Sequence, residues 1–186
     1  MTEHEKSPVL KIVLIIIGAL VAVGIVVGVV IGIGVVNEIS KLDSYKTAVN
    51  ETNSLALKYN EMTGLESVTL AQSTDEKALK EAAARDVEKI QEIIDFVEKK
   101  VDELGNEDGI TVDDNKAKEL YEILKNKKEA FMDFYKIAIA AYKLKAKGDF
   151  TGAAEKMLTG DVRADSEFVA ALNNLNQYLV KKANNQ

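Results

Sequence analysis

Residues Ile12 to Val36 are twenty-five consecutive positions without a charged, polar or aromatic side chain. As an α-helix that run reaches about 37 Å, enough to cross a hydrocarbon layer about 30 Å thick with some tilt. Sixteen of its residues are Ile or Val and five are Gly, a mixture that makes poor helix in water. In lipid the backbone must satisfy its own hydrogen bonds, so a single spanning segment has to be helical. The run is longer than the apolar region of a cleaved signal peptide, and the triplet Ala22-Val23-Gly24 sits deep inside it, followed by Ile25-Val26-Val27; Gly32-Ile33-Gly34 is the alternative cleavage site, and the uncleaved anchor is the expectation. A buried core helix would need apolar neighbours on every side, which the charged remainder does not supply. The sequence therefore divides into a short polar tail (1–11), a transmembrane anchor (12–36) and a helical bundle domain (37–186).

The charges that flank the run are nearly balanced: Lys6 and Lys11 on one side, Lys41 and Lys46 on the other. A short leading tail before an uncleaved span ordinarily stays in the cytoplasm. The expectation is a single-pass protein of the cell membrane with its N-terminus cytoplasmic and its C-terminal domain outside. Glu3, Glu5, Lys6 and Lys11 cancel, so the net charge of -6 belongs to residues 37–186. That acidic but mixed surface argues against a nucleic-acid partner. Without cysteine the chain has no disulfide, thiolate metal site or cysteine nucleophile.

Residues 37–186 contain no proline, and Gly64, Gly105, Gly109, Gly148, Gly152 and Gly160 punctuate stretches rich in Ala, Glu, Lys and Leu. A first helix is expected from about Asn37 to Met62, with Leu42, Tyr45, Val49, Ala56 and Tyr59 on its seam and Thr52 and Asn53 interrupting it. A second opens at Ser73-Thr74-Asp75-Glu76, which fits a capping box between Ser73 and Glu76. Its sustained heptad, as in a coiled coil, runs through Leu79, Ala83, Val87, Ile90, Ile94, Val97, Val101 and Leu104, and Gly105 ends it. A third opens with a similar box at Thr111-Val112-Asp113-Asp114. It carries Leu120, Leu124, Phe131, Phe134, Ala138 and Ala141 to about Lys147. A short helix near 150–158 and a last one near 165–183, with Phe168, Leu172, Leu175 and Leu179 inward, complete an antiparallel bundle of four main helices. The fold class is all-α.

No constellation of residues points to catalysis. The lone histidine, His4, lies in the tail, so neither a Glu-x-x-His metal pair nor a serine–histidine pair is available in the domain. Glu119-x-x-Glu122 and Glu88-x-x-Gln91 read as solvated faces. Asn106, Asp108, Asp113 and Asp114 around Gly109 lack the ligand order of a calcium loop and read as a turn before a helix cap. No enzyme activity, cofactor or metal is expected. One anionic-ligand site is suggested where Lys127 and Lys128 precede Phe131 by about one turn and Tyr135 by about two. Its competing reading is a polar waist whose lysine stems cover apolar surface.

The expected function is a non-catalytic binding, sensory-input or assembly module held at the membrane by its span. In architecture the arrangement is similar to the extracytoplasmic four-helix sensor bundle of bacterial chemoreceptors. No second span or signalling helix follows, so sensing would need a separate partner. Two alternatives come from other segments. Ser7-Pro8-Val9-Leu10 before an apolar helix resembles the amino terminus of archaeal pilins, implying a filament subunit, although Lys11 departs from that pattern. The stretch 141–154 resembles the inter-helix turn of a tetratricopeptide repeat, implying a scaffold, although no second copy follows at the repeat period.

Gly24, Gly28 and Gly32 recur every four residues and so line one stripe of the anchor, where two backbones can approach closely. The expected partners are therefore the bilayer and either a second copy of the chain or the span of another membrane protein. Gly28→Ile is expected to abolish self-association of the segment in a bilayer association assay, and Val29→Ile, on another face, to leave it intact. Equal association of all three segments would reduce the run to a plain anchor.

Overall fold

The computed structural model describes residues 43–66, 70, 75–105 and 114–184; the tail and the apolar run, with Gly24, Gly28 and Gly32, lie outside them. Among these described residues five helices form: α1 (Asp43–Asn60), α2 (Glu76–Leu104), α3 (Asn115–Ala146), the short α4 (Phe150–Met157) and α5 (Arg163–Asn184). A 3₁₀ turn, Glu61–Gly64, continues α1. Among the described residues there is no strand, and no helix is long and apolar enough to cross a membrane.

Helices α1, α2, α3 and α5 close a ring of neighbours, α1 against α2, α2 against α3, α3 against α5 and α5 against α1. The bonds between them fix their directions. Tyr45 at the start of α1 meets Asp114 at the start of α3, which also receives Tyr178 near the end of α5. Lys100 near the end of α2 pairs with Glu51 in α1. The helices therefore alternate up and down, as short connections require. At 29 and 32 residues, α2 and α3 are the long arms, about 43 and 48 Å. The 18-residue α1 is too short to cover them. Beyond its end the chain runs along α2, with the Glu66 N–H donating to Asp86 at 2.8 Å and the Lys89 ammonium to the Gly64 carbonyl at 3.2 Å. Helix α4 packs on α3.

The seams expected from periodicity are the seams that pack. Leu79, Ala83, Ile90, Ile94, Val97, Val101 and Leu104 of α2 are buried, as are Phe168, Leu172, Leu175 and Leu179 of α5. The interruption of the α1 seam is also real: Thr52 is fully buried and bonds back to the carbonyls of Ala48 and Val49, the local solution for a hydroxyl inside a helix. Asn53 accepts from the Asn176 amide at 3.0 Å across the α1–α5 contact.

Both capping boxes are corrected. Helix α2 is capped by Asp75, whose carboxylate accepts from the Lys77 and Ala78 N–H groups, and α3 by Asp114, which accepts from Lys116 and Ala117. In each case an aspartate next to the helix supplies the oxygen, and its negative charge favours the helix N-terminus. Ser73 and Thr111 lie outside the described residues, as do Asn106, Asp108 and Asp113. Gly105 does end α2, but with ordinary backbone (φ −87°). A side chain there would collide with the Tyr121 hydroxyl, so the glycine leaves room for the Tyr121 ring against the end of α2. Gly148 is the conformational glycine, at φ +88°. Its N–H reaches the Lys145 carbonyl and that of Asp149 the Leu144 carbonyl, the Schellman pattern, and the Asp149 carboxylate then caps α4 through the Gly152 N–H.

Residues 37–186 made alone are expected to fold cooperatively with a helical circular dichroism spectrum. Ile94, 2% exposed in the middle of α2, is expected to cost about 2–5 kcal/mol when replaced by Ala. A loss below about 0.5 kcal/mol in urea denaturation, the level of an ordinary surface change, would place the wrong face inside.

Candidate functional site

The residues proposed for an anionic ligand separate in the structure. Lys127 pairs with Glu167 of α5 at 2.6 Å, and Lys128 with Asp102 of α2 at 2.5 Å, so both ammonium groups already meet acids of this chain. Phe131 and Tyr135 turn the other way, into the core. The two lysines brace α3 against its neighbours on either side, and the two aromatic residues belong to a different constellation.

That constellation is an aromatic layer across the bundle. Phe131 stacks on Phe168 with centroids 4.3 Å apart, and lies 4.7 Å from Tyr135 and 6.2 Å from Tyr59. A tyrosine in a core needs a partner for its hydroxyl. Both find the same one: Tyr59 donates to one carboxylate oxygen of Asp165 and Tyr135 to the other, each at 2.8 Å. Asp165 stands in the first turn of α5 and is 1% exposed. Burial raises its pKa above the ordinary carboxylate value, and the two hydroxyl donors only partly offset that. Burial and the adjacent carboxylate likewise push both phenols well above their usual range.

A second aspartate is built from similar parts with the opposite result. Asp114 accepts from the Tyr45 hydroxyl at 2.7 Å and the Tyr178 hydroxyl at 2.8 Å. It also receives two amides of the α3 N-terminus, and the Lys182 ammonium lies 3.5 Å away. Burial alone would raise its pKa, but the Tyr45 bond, the Ala117 amide, Tyr178 and the Lys182 charge together lower it to about 2. What separates the two aspartates is the helix amides and the lysine. Asp165 has two phenols and no cation among its bonding partners.

A third buried group is Lys145 of α3, 3% exposed, with its ammonium 5.5 Å from the centre of the Tyr142 ring. Burial lowers its pKa, and the charge of the buried Asp86 on α2 opposes that shift. Among the described residues no group of three or more His, Asp and Glu side chains is placed to hold a metal.

Sequence reasoning passed over Asp165 and Asp86 as acceptors and gave Asp114 only a place in a capping box, although the signals were present. Asp165 falls three residues before Phe168 and Asp86 four before Ile90, both on their helices' apolar seams. Tyr45 and Tyr59 put hydroxyls on a seam that also holds Thr52. Compared with known proteins, the chain matches no family model, no curated protein and no solved structure.

Asp114 has a folded pKa below its ordinary value, so its contribution to stability is present above about pH 4 and is lost as the pH falls through about 2. The difference corresponds to about 2 kcal/mol. Asp114→Asn is expected to be less stable than the native chain at neutral pH and to show a flatter acid limb in urea denaturation followed from pH 7 to pH 2. Identical acid limbs would mean that the carboxylate's charge contributes nothing.

Proposed function

We propose that the protein is a membrane-anchored, non-catalytic helical module of the cell surface, working as a binding, sensory-input or assembly domain. The observation that carries this reading is the spacing of the apolar run and the bundle. The run ends at Val36 and α1 begins at Asp43, so the bundle stands close to the bilayer surface with α1 as its stalk-side helix. The end that then faces the membrane carries the start of α1, the end of α2, the start of α3 and the end of α5. The buried carboxylates Asp165 and Asp114 are consumed in contacts between helices, an arrangement that suits recognition and mechanical coupling better than turnover. Signals or assembly would pass through a second copy or a separate partner protein in the same membrane.

The reading is tested on intact cells with a tag on the tail. External protease is expected to remove the bundle while the tag stays protected, and cross-linking before detergent extraction to capture the protein with itself or with another membrane protein. An accessible tag with a protected bundle would reverse the topology. A mature chain starting at or near Pro8 would favour the filament reading, and recovery of the whole chain without membranes would overturn the anchor.

A further inference from the structure

Helix α1 is held to the bundle differently from the others. Between Tyr45 and Tyr59 the large aliphatic side chains it buries are Val49 and Leu55; the remaining buried positions are Ala48, Thr52 and Ala56. Helix α2, in contrast, buries two Leu, three Ile and two Val. The α1–α5 contact is interrupted by the polar pair Asn53 and Asn176. What α1 has instead is two phenol–carboxylate bonds fourteen residues apart, Tyr45 to Asp114 and Tyr59 to Asp165. An interface held by polar bonds gives way more readily than a filled apolar one, because each bond broken on opening is replaced by a bond to water.

We propose that α1 is a releasable helix whose hold on the bundle is set by the protonation state of Asp165: protonated, the cluster of Tyr59, Asp165 and Tyr135 seats α1, and ionised, it lets α1 open from its Tyr59 end while α2, α3 and α5 stay packed. Helix α5 packs against α1 and α3. The titratable groups those helices turn toward Asp165 are Tyr59 and Tyr135. On α5 itself Arg163 and Glu167 are turned away, paired with Asp161 and Lys127. An ionised Asp165 is therefore a buried charge without a cation, which two hydroxyl donors bond but do not neutralise. Tyr59 is the partner that can leave, because it sits near the end of the sparsely packed α1, whereas Tyr135 is wedged against Phe131 and Phe134 in the long α3. Burial raises the pKa of the acid, so low pH seats α1, and rising pH, through the folded value, releases it. Asp114, with its amides and Lys182, stays ionised over that interval and keeps the Tyr45 end of α1 in place. The device lies within the described residues and does not depend on the anchor.

Native-state hydrogen exchange on the full chain in detergent micelles tests this at about pH 4.5 and about pH 8, with intrinsic rates corrected. Protection over residues 50–60 is expected to fall by about tenfold or more at the higher pH, while residues 76–104 keep theirs. Asp165→Asn is expected to remove the pH dependence of 50–60. Should that variant not fold, Tyr59→Phe keeps the ring and deletes the bond, and is expected to speed exchange in 50–60 at low pH with 76–104 unchanged. Protection of 50–60 that is independent of pH, a dependence that survives Asp165→Asn, or equal loss across all helices in either variant would overturn the proposal.

Discussion

The bundle depends on how its aromatic layer is closed. Phe131, Phe168, Tyr59 and Tyr135 fill the space among α1, α3 and α5, where smaller side chains would leave a cavity. Two of the four are tyrosines, and a hydroxyl cannot be left unbonded in a core. Asp165 resolves both at once from the first turn of α5, where its two oxygens take one hydroxyl each. The arrangement brings three helices to one side chain, and it introduces a titratable group that the packing cannot hide from pH.

The same chemistry at the other end of α1 shows how finely the surroundings decide the outcome. Asp114 and Asp165 each receive two phenols, yet one is held at about pKa 2 and the other is raised. The helix amides and Lys182 at Asp114 favour the ionised form, whereas Asp165 is deeper and lacks a cation. Helix α1 joins the two sites, and it is also the helix that follows the apolar run. Any force or displacement reaching the bundle along the chain from that run enters through α1.

Much of the fold was legible in the pattern of apolar residues. The heptad from Leu79 to Leu104 and the seam from Phe168 to Leu179 had only one way to face inward, and Gly148-Asp149 encoded a stop followed by a cap. Helix starts were less legible, because Ser73 and Asp75, or Thr111 and Asp114, offer equivalent cap oxygens, and local spacing does not say which is used. The candidate site was not legible from spacing along α3 alone. Lys127 and Phe131 lie one turn apart, but the lysine leans outward to Glu167 while the ring packs inward on Phe168. Finding Asp165 required asking where the hydroxyls of Tyr59 and Tyr135 would bond, a question about contacts across helices far apart in sequence.

The coupling of α1 to the bundle through the Tyr59–Asp165 bond is measured directly by a double-mutant cycle on residues 37–186. Unfolding free energies of the native domain, Tyr59→Phe, Asp165→Asn and the double variant are compared at one pH. A coupling of about 0.5–3 kcal/mol between the two positions is expected. Strict additivity, with the double variant equal to the sum of the singles, would contradict it.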